Sequence, residues 1–139
     1  MLERRALQVS IAIAALLPVA SGLWDVTHGL SGTVGWDDNH HRYLSGLLVA
    51  IGLGFWSAIP SIEARTARVR LLTMLVVIGG LARLLGLALG DPATPMVAAA
   101  LAMELIVTPL ICLWQTRLSS RQELPGIAKM ETHLRHMIS

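Results

Sequence analysis

Four long apolar stretches, at about residues 6–24, 42–59, 69–89 and 95–114, constrain this chain more than any other feature. A helix rises about 1.5 Å per residue and bilayer hydrocarbon is about 30 Å thick, so a run of roughly 20 apolar residues makes one crossing. The runs are continuous rather than alternating, and four strands cannot close a barrel, which excludes transmembrane strands. Of the 139 residues, 54% are hydrophobic and 14% charged, and the mean hydropathy is +0.62. That is too apolar for a soluble domain of this size. The expected fold is all-α: a polytopic four-helix transmembrane bundle over residues 1–117, followed by a basic cytoplasmic tail over 118–139.

Orientation follows from the basic residues, which accumulate on the cytoplasmic side of membrane proteins. Arg4 and Arg5 precede the first stretch, Arg65, Arg68 and Arg70 separate the second from the third, and Arg117, Arg121, Lys129 and Arg135 follow the fourth. The other two connections, 25–41 and 90–94, hold Asp25, Asp37, Asp38 and Asp91 but no Lys or Arg. Both termini are therefore expected in the cytoplasm, with the chain in a bacterial inner membrane. The net charge of +2 reflects this topology. The cations lie in short clusters between apolar runs and form no continuous patch for nucleic acid.

Residues 1–22 also have the layout of a secretory signal, with Arg4 and Arg5 before an apolar core and Ala20, Ser21 and Gly22 after it. The apolar length favours a retained span. Beyond Leu124-Pro125-Gly126, the spacing of Ile127, Met130, Leu134 and Met137 beside Lys129, His133, Arg135 and His136 predicts a short amphipathic helix on the cytoplasmic leaflet. Trp24, Trp36, Trp56 and Trp114 fall near span ends and read as interfacial anchors. Cys112, the single cysteine, reads as a small packing residue.

Two ionisable residues inside the spans decide where the interior lies. Such a group costs about 2.5–3.5 kcal/mol on insertion scales and therefore faces protein, water or a partner. Arg83 in the third stretch and Glu104 in the fourth lie about 9 Å and about 13–14 Å from the non-cytoplasmic end at 1.5 Å per residue. The connection between these stretches is short, so they run antiparallel and the two charges can meet as an ion pair. The bland alternative is neutralisation that sets helix register and does no chemistry. Helical spacing groups Arg83 with Gly79, Gly80 and Gly86, and Glu104 with Ala100, Thr108 and Cys112. It also makes small-residue stripes of Arg42, Gly46, Ala50 and Gly54 and of Ser10, Ala14, Pro18 and Gly22. Pro18 and Pro109 interrupt the backbone bonding of their spans.

At the non-cytoplasmic mouth, Asp37-Asp38-Asn39-His40-His41-Arg42-Tyr43 gathers carboxylates, imidazoles and a guanidinium. With Arg83 and Glu104 beneath, the residues Arg42, His40 and Asp38 make a candidate polar pocket for a phosphate or carboxylate head, the arginines supplying planar forked donors. Adjacent histidines on a helix point about 100° apart, and no metal-ligand spacing joins them to a further ligand.

The segments 38–46 (DNHHRYLSG), 79–83 (GGLAR), Met103-Glu104-Leu105 and Thr108-Pro109 together resemble a bacterial domain-of-unknown-function family of small four-helix integral membrane proteins. The likeness runs over about residues 5–117. It implies the four-helix architecture and places Arg42, Arg83 and Glu104 in the shared pattern, while His41 departs from the aromatic or aliphatic residue expected there. It supplies no activity, and it leaves any cofactor unknown.

No phosphate loop, nucleophile triad, redox motif or strong metal signature occurs, so an enzymatic role is the weaker reading. The small size and slight extramembrane mass point first to an accessory or interaction subunit packed against a larger membrane protein complex in the lipid bilayer. The alternative is a protein, or an enzyme, that binds a lipid-like or quinone-like molecule through a polar pocket in the outer leaflet. A proton-coupled carrier using Glu104 ranks last, because four spans without paired interrupted helices leave little room for alternating access.

Overall fold

The computed structural model describes residues 2–29, 35–62 and 64–120. Four helices account for nearly all of them: α1 (Leu2–His28), α2 (Trp36–Ala58, tightened into a 3-10 turn at Ile59–Ser61), α3 (Thr66–Ala88) and α4 (Pro95–Ser120). Each is long and apolar enough to cross a membrane, and the chain is a small all-α multi-pass membrane protein. The tail expected beyond residue 120, with its amphipathic segment, lies outside the described residues.

The helices outrun the apolar stretches because the flanking polar residues favour helix ends. Asp37 and Asp38 stand in the first turn of α2, where the helix dipole favours negative charge. The polar cluster 37–43 is thus helical, where the sequence places most of it in a connection. α1 ends at Gly29, whose φ of +64° is open to glycine at little cost. α3 ends in a Schellman turn: Gly90 adopts φ +111°, the Asp91 N–H donates to Gly86 O at 3.0 Å, and the Gly90 N–H donates to Leu87 O at 3.2 Å. Thr94 then caps α4 by accepting from the Val97 N–H at 3.3 Å, with Pro95 in the first turn.

Packing is uneven. α1 and α2 form a close antiparallel pair, in which Leu7, Ile11, Ala15, Val19 and Gly22 give α1 its buried face. A Cβ on Gly22 would lie 2.7 Å from Ser45 O, and one on Gly52 would lie 2.5 Å from the Val19 side chain, so both glycines are what allow the backbones to approach. The contact face thus differs from the stripe expected of α1: it shares Gly22, while Ala14 and Pro18 turn into the bundle interior. On α2, Gly46 faces open space and Gly54 meets Leu72 of α3. Periodicity identifies stripes of small residues, but it does not say which of two adjacent stripes a neighbour occupies.

The core lies at the basic end of the bundle, where Leu7, Ile11, Ala15, Phe55, Ala58, Ile62 and Val69 are buried and Trp56, Trp114 and Leu118 pack on them. Trp56, expected as an interfacial anchor, ties α2 to α1: its Nε1 donates to Ala12 O at 3.2 Å. Gln115, 1% exposed, extends this core with polar contacts, since its Nε2 donates to Ile62 O at 2.6 Å and lies 2.9 Å from Thr66 Oγ1 and 3.1 Å from Ser119 Oγ. Toward the other end, α3 and α4 turn large apolar side chains outward, Leu81, Leu84, Leu85, Ile106 and Leu110 among them, and the bundle opens.

Candidate functional site

Arg83 and Glu104 meet across α3 and α4. Nε of Arg83 donates to Oε2 at 3.2 Å and Nη2 donates to Oε1 at 3.1 Å, a two-point fork that matches guanidinium to carboxylate. Two local features bring them together. Gly80 lets the helices close, since a Cβ there would lie 2.8 Å from Leu105 Cδ2 and 3.0 Å from Glu104 Cβ. Beside Glu104, α4 widens into a π turn at Met103–Val107.

Pro109 explains the widening. It has no N–H for Leu105 O and its ring crowds that carbonyl, which favours a wider turn there. Thr108 bonds one residue further back instead: its N–H is directed to Met103 O, and its hydroxyl donates to the same carbonyl at 2.8 Å. Glu104 and Thr108 consequently share the inner wall of α4. Pro18, by contrast, leaves α1 a single helix from Leu2 to His28.

That wall belongs to a cavity of about 230 Å³ in the bundle interior. Each helix contributes one stripe: Ala14, Pro18 and Ser21 from α1, Leu48 and Ile51 from α2, Val76, Gly79 and Arg83 from α3, and Ala100, Glu104, Thr108 and Ile111 from α4. Phe55 and Ile11, both part of the buried core, also line it. The surroundings are almost wholly apolar, with the ion pair on one side. The pair is not sealed: Arg83 keeps 43% of its side-chain surface exposed, against 18% for Glu104.

The other candidate residues lie elsewhere. Arg42, Asp38 and His40 are not among the cavity-lining residues. Arg42 Nε donates to Asp38 Oδ2 at 2.9 Å and Nη1 donates to Val26 O at 2.6 Å, so the guanidinium satisfies a terminal carbonyl of α1 and meets the negative end of its dipole. Gly29 makes room for this arrangement, because a Cβ there would collide with Asp38 and Arg42. His41 adds to the same junction, with Nε2 3.7 Å from Asp25 Oδ2. His40 is exposed and stacks between Trp36 and Tyr43, with ring centroids 6.2 and 6.4 Å away. Arg42 and His41 thus tie α2 to α1 at the acidic end.

The sequence reading missed the apolar lining and the Gln115 cluster. Ser21, Leu48 and Val76 look like ordinary span residues, and only the separation of helix pairs turns them into walls. Gln115 stands just past the apolar stretch, and a polar amide there looks like an ordinary span end. Among the described residues, no group of three or more His, Cys, Asp or Glu side chains is placed to hold a metal ion.

A family model described as a domain of unknown function (DUF4345) matches residues 6–115. No curated protein and no solved structure matches the chain significantly.

Proposed function

The chain belongs to the DUF4345 family, and from that premise we propose that it binds a lipid-like or quinone-like amphiphile inside its bundle, the Arg83–Glu104 pair meeting the polar head. One observation carries this reading: the bundle interior holds a cavity whose apolar walls contain a guanidinium and a carboxylate. A pair needed only for helix register would be best served by full enclosure and tight packing. This pair instead borders open space. The basic end, with Arg4, Arg5, Arg65, Arg68, Arg70 and Arg117, belongs to the cytoplasmic side in this reading, which puts the cavity's polar pair in the outer half of the membrane.

Gly79 offers the test, because it lines the cavity and an added Cβ meets nothing within 4 Å. The full chain, extracted in mild detergent, retains a stoichiometric small molecule by native mass spectrometry, and Gly79→Leu loses it while keeping its helical content. A wild-type protein carrying no small molecule, or equal retention by Gly79→Leu, removes the reading. The accessory-subunit reading rests on small size and slight extramembrane mass. It predicts one defined protein partner at fixed stoichiometry and an occupancy indifferent to Gly79→Leu.

A further inference from the structure

We infer that the amphiphile's head is uncharged, carrying an oxygen that accepts from Arg83 and an N–H or O–H that donates to the wall, and that its chain emerges into the bilayer; this rests on the ligand-binding reading above. The charge balance of the site leads there first. Both carboxylate oxygens of Glu104 are bonded to Arg83 Nε and Nη2, so the pair is neutral as a unit. A sulfate or phosphate head on the free edge of Arg83 would leave the site with a net negative charge in an apolar wall. An ammonium head on Glu104 would leave a net positive one. A neutral head leaves neither charge.

The free donors and acceptors around the cavity define the rest of the head. Arg83 Nη1 has no acceptor among the described residues, and the guanidinium is the exposed partner of the pair. An N–H bordering an apolar cavity without a protein acceptor is matched by an oxygen on the ligand. The other polar groups accept. Ser21 donates its hydroxyl to Leu17 O at 2.8 Å and Thr108 donates its own to Met103 O, which leaves only lone pairs toward the cavity. Pro18 has no N–H to give to the Ala14 carbonyl, and both residues line the space. Arg83 keeps three N–H groups beyond the two bonded to Glu104; an amide or hydroxyl head meets both these donors and the acceptors of the wall, whereas a quinone, which only accepts, meets the donors alone.

The open side of the cavity accounts for the chain. Leu17 and Leu75 line the space and are also exposed on the bundle surface. An acyl chain held between them reaches the bilayer. The way out lies between α1 and α3, which make few direct approaches to each other.

The test places the full chain in phosphatidylcholine nanodiscs and compares probes by competition, read by native mass spectrometry. Palmitamide supplies a neutral donor and acceptor, cetyl sulfate a fixed negative charge, cetyltrimethylammonium a fixed positive charge, and decylbenzoquinone a neutral acceptor alone. Wild-type protein prefers palmitamide to each charged probe by about tenfold, equivalent to about 1.4 kcal/mol, and to the quinone by a smaller factor. Glu104→Gln, which frees the guanidinium, shifts the preference to cetyl sulfate. Arg83→Gln shifts it to cetyltrimethylammonium, and the double variant restores palmitamide. A wild-type protein that favours either charged probe, or binds the quinone as well as palmitamide, overturns the inference and leaves ligand binding intact. Binding of none of the four overturns both.

Discussion

Replacing Glu104 by Leu leaves the Arg83 guanidinium without its carboxylate. At about 4 Å and an effective dielectric of about 20, the gross attraction of the pair is about 4 kcal/mol. Two features reduce what is lost. Arg83 keeps 43% of its side-chain surface exposed, so solvent or headgroups screen part of the charge. Polar contacts between membrane helices also contribute modestly, at about 0.6 kcal/mol on average and about 1.7 at most in double-mutant cycles. The two-point geometry at 3.1 and 3.2 Å places this pair at the upper end. Glu104→Leu is therefore expected to cost about 2 kcal/mol and Arg83→Leu a similar amount. The double variant should lose less than the sum, giving a coupling of about 1–1.5 kcal/mol. The measurement is reversible unfolding by sodium dodecyl sulfate in mixed micelles, followed by helical circular dichroism and tryptophan fluorescence. Single variants within about 0.3 kcal/mol of wild type, or strict additivity in the double, would refute the pairing energy and its contribution to α3–α4 association.

Adjacent glycines on α3 should respond unequally. Gly80→Val drives a branched side chain into Leu105 and Glu104 Cβ and should cost about 1–3 kcal/mol as overpacking, whereas Gly79→Val projects into open space and should leave the thermal midpoint in detergent nearly unchanged. Arg42→Ala removes the cap on α1 and the bond to Asp38; hydrogen exchange at residues 24–29 should quicken, with a loss of about 1–2 kcal/mol and no change in small-molecule retention. Gln115→Leu leaves Ile62 O without the Nε2 donor and should destabilise the basic end by about 1–3 kcal/mol, read as faster proteolysis between α2 and α3.

The number of crossings, the helical class and the antiparallel order of the spans were all legible in the chain. They depend on apolar length and loop length, which are local quantities. The proposed orientation is drawn from the distribution of arginines alone. The opposition of Arg83 and Glu104 was also within reach, because a short connection between two spans limits which depths can face each other. The grouping of Arg42, Asp38 and His40 with that pair was not decidable in the same way. Their depth is compatible with a common pocket, but Arg42 turns to the carbonyl end of α1, and a carbonyl left bare by helix geometry does not show in a list of side chains.

Tertiary structure alone decided where the bundle is tight and where it is open. Gly22 and Gly52 close α1 on α2, whereas Gly79, equally small, borders a cavity. Composition treats these glycines alike, and only the positions of the neighbouring helices separate them. The π turn has the same standing: Pro109 announces a disturbed hydrogen bond, but whether α4 bends, breaks or widens depends on Thr108 reaching Met103 O. Local sequence sets how long each helix is and how apolar its faces are. Which face meets which neighbour is a collective outcome of all four helices packing at once, since no pair of them minimises its own energy independently of the others.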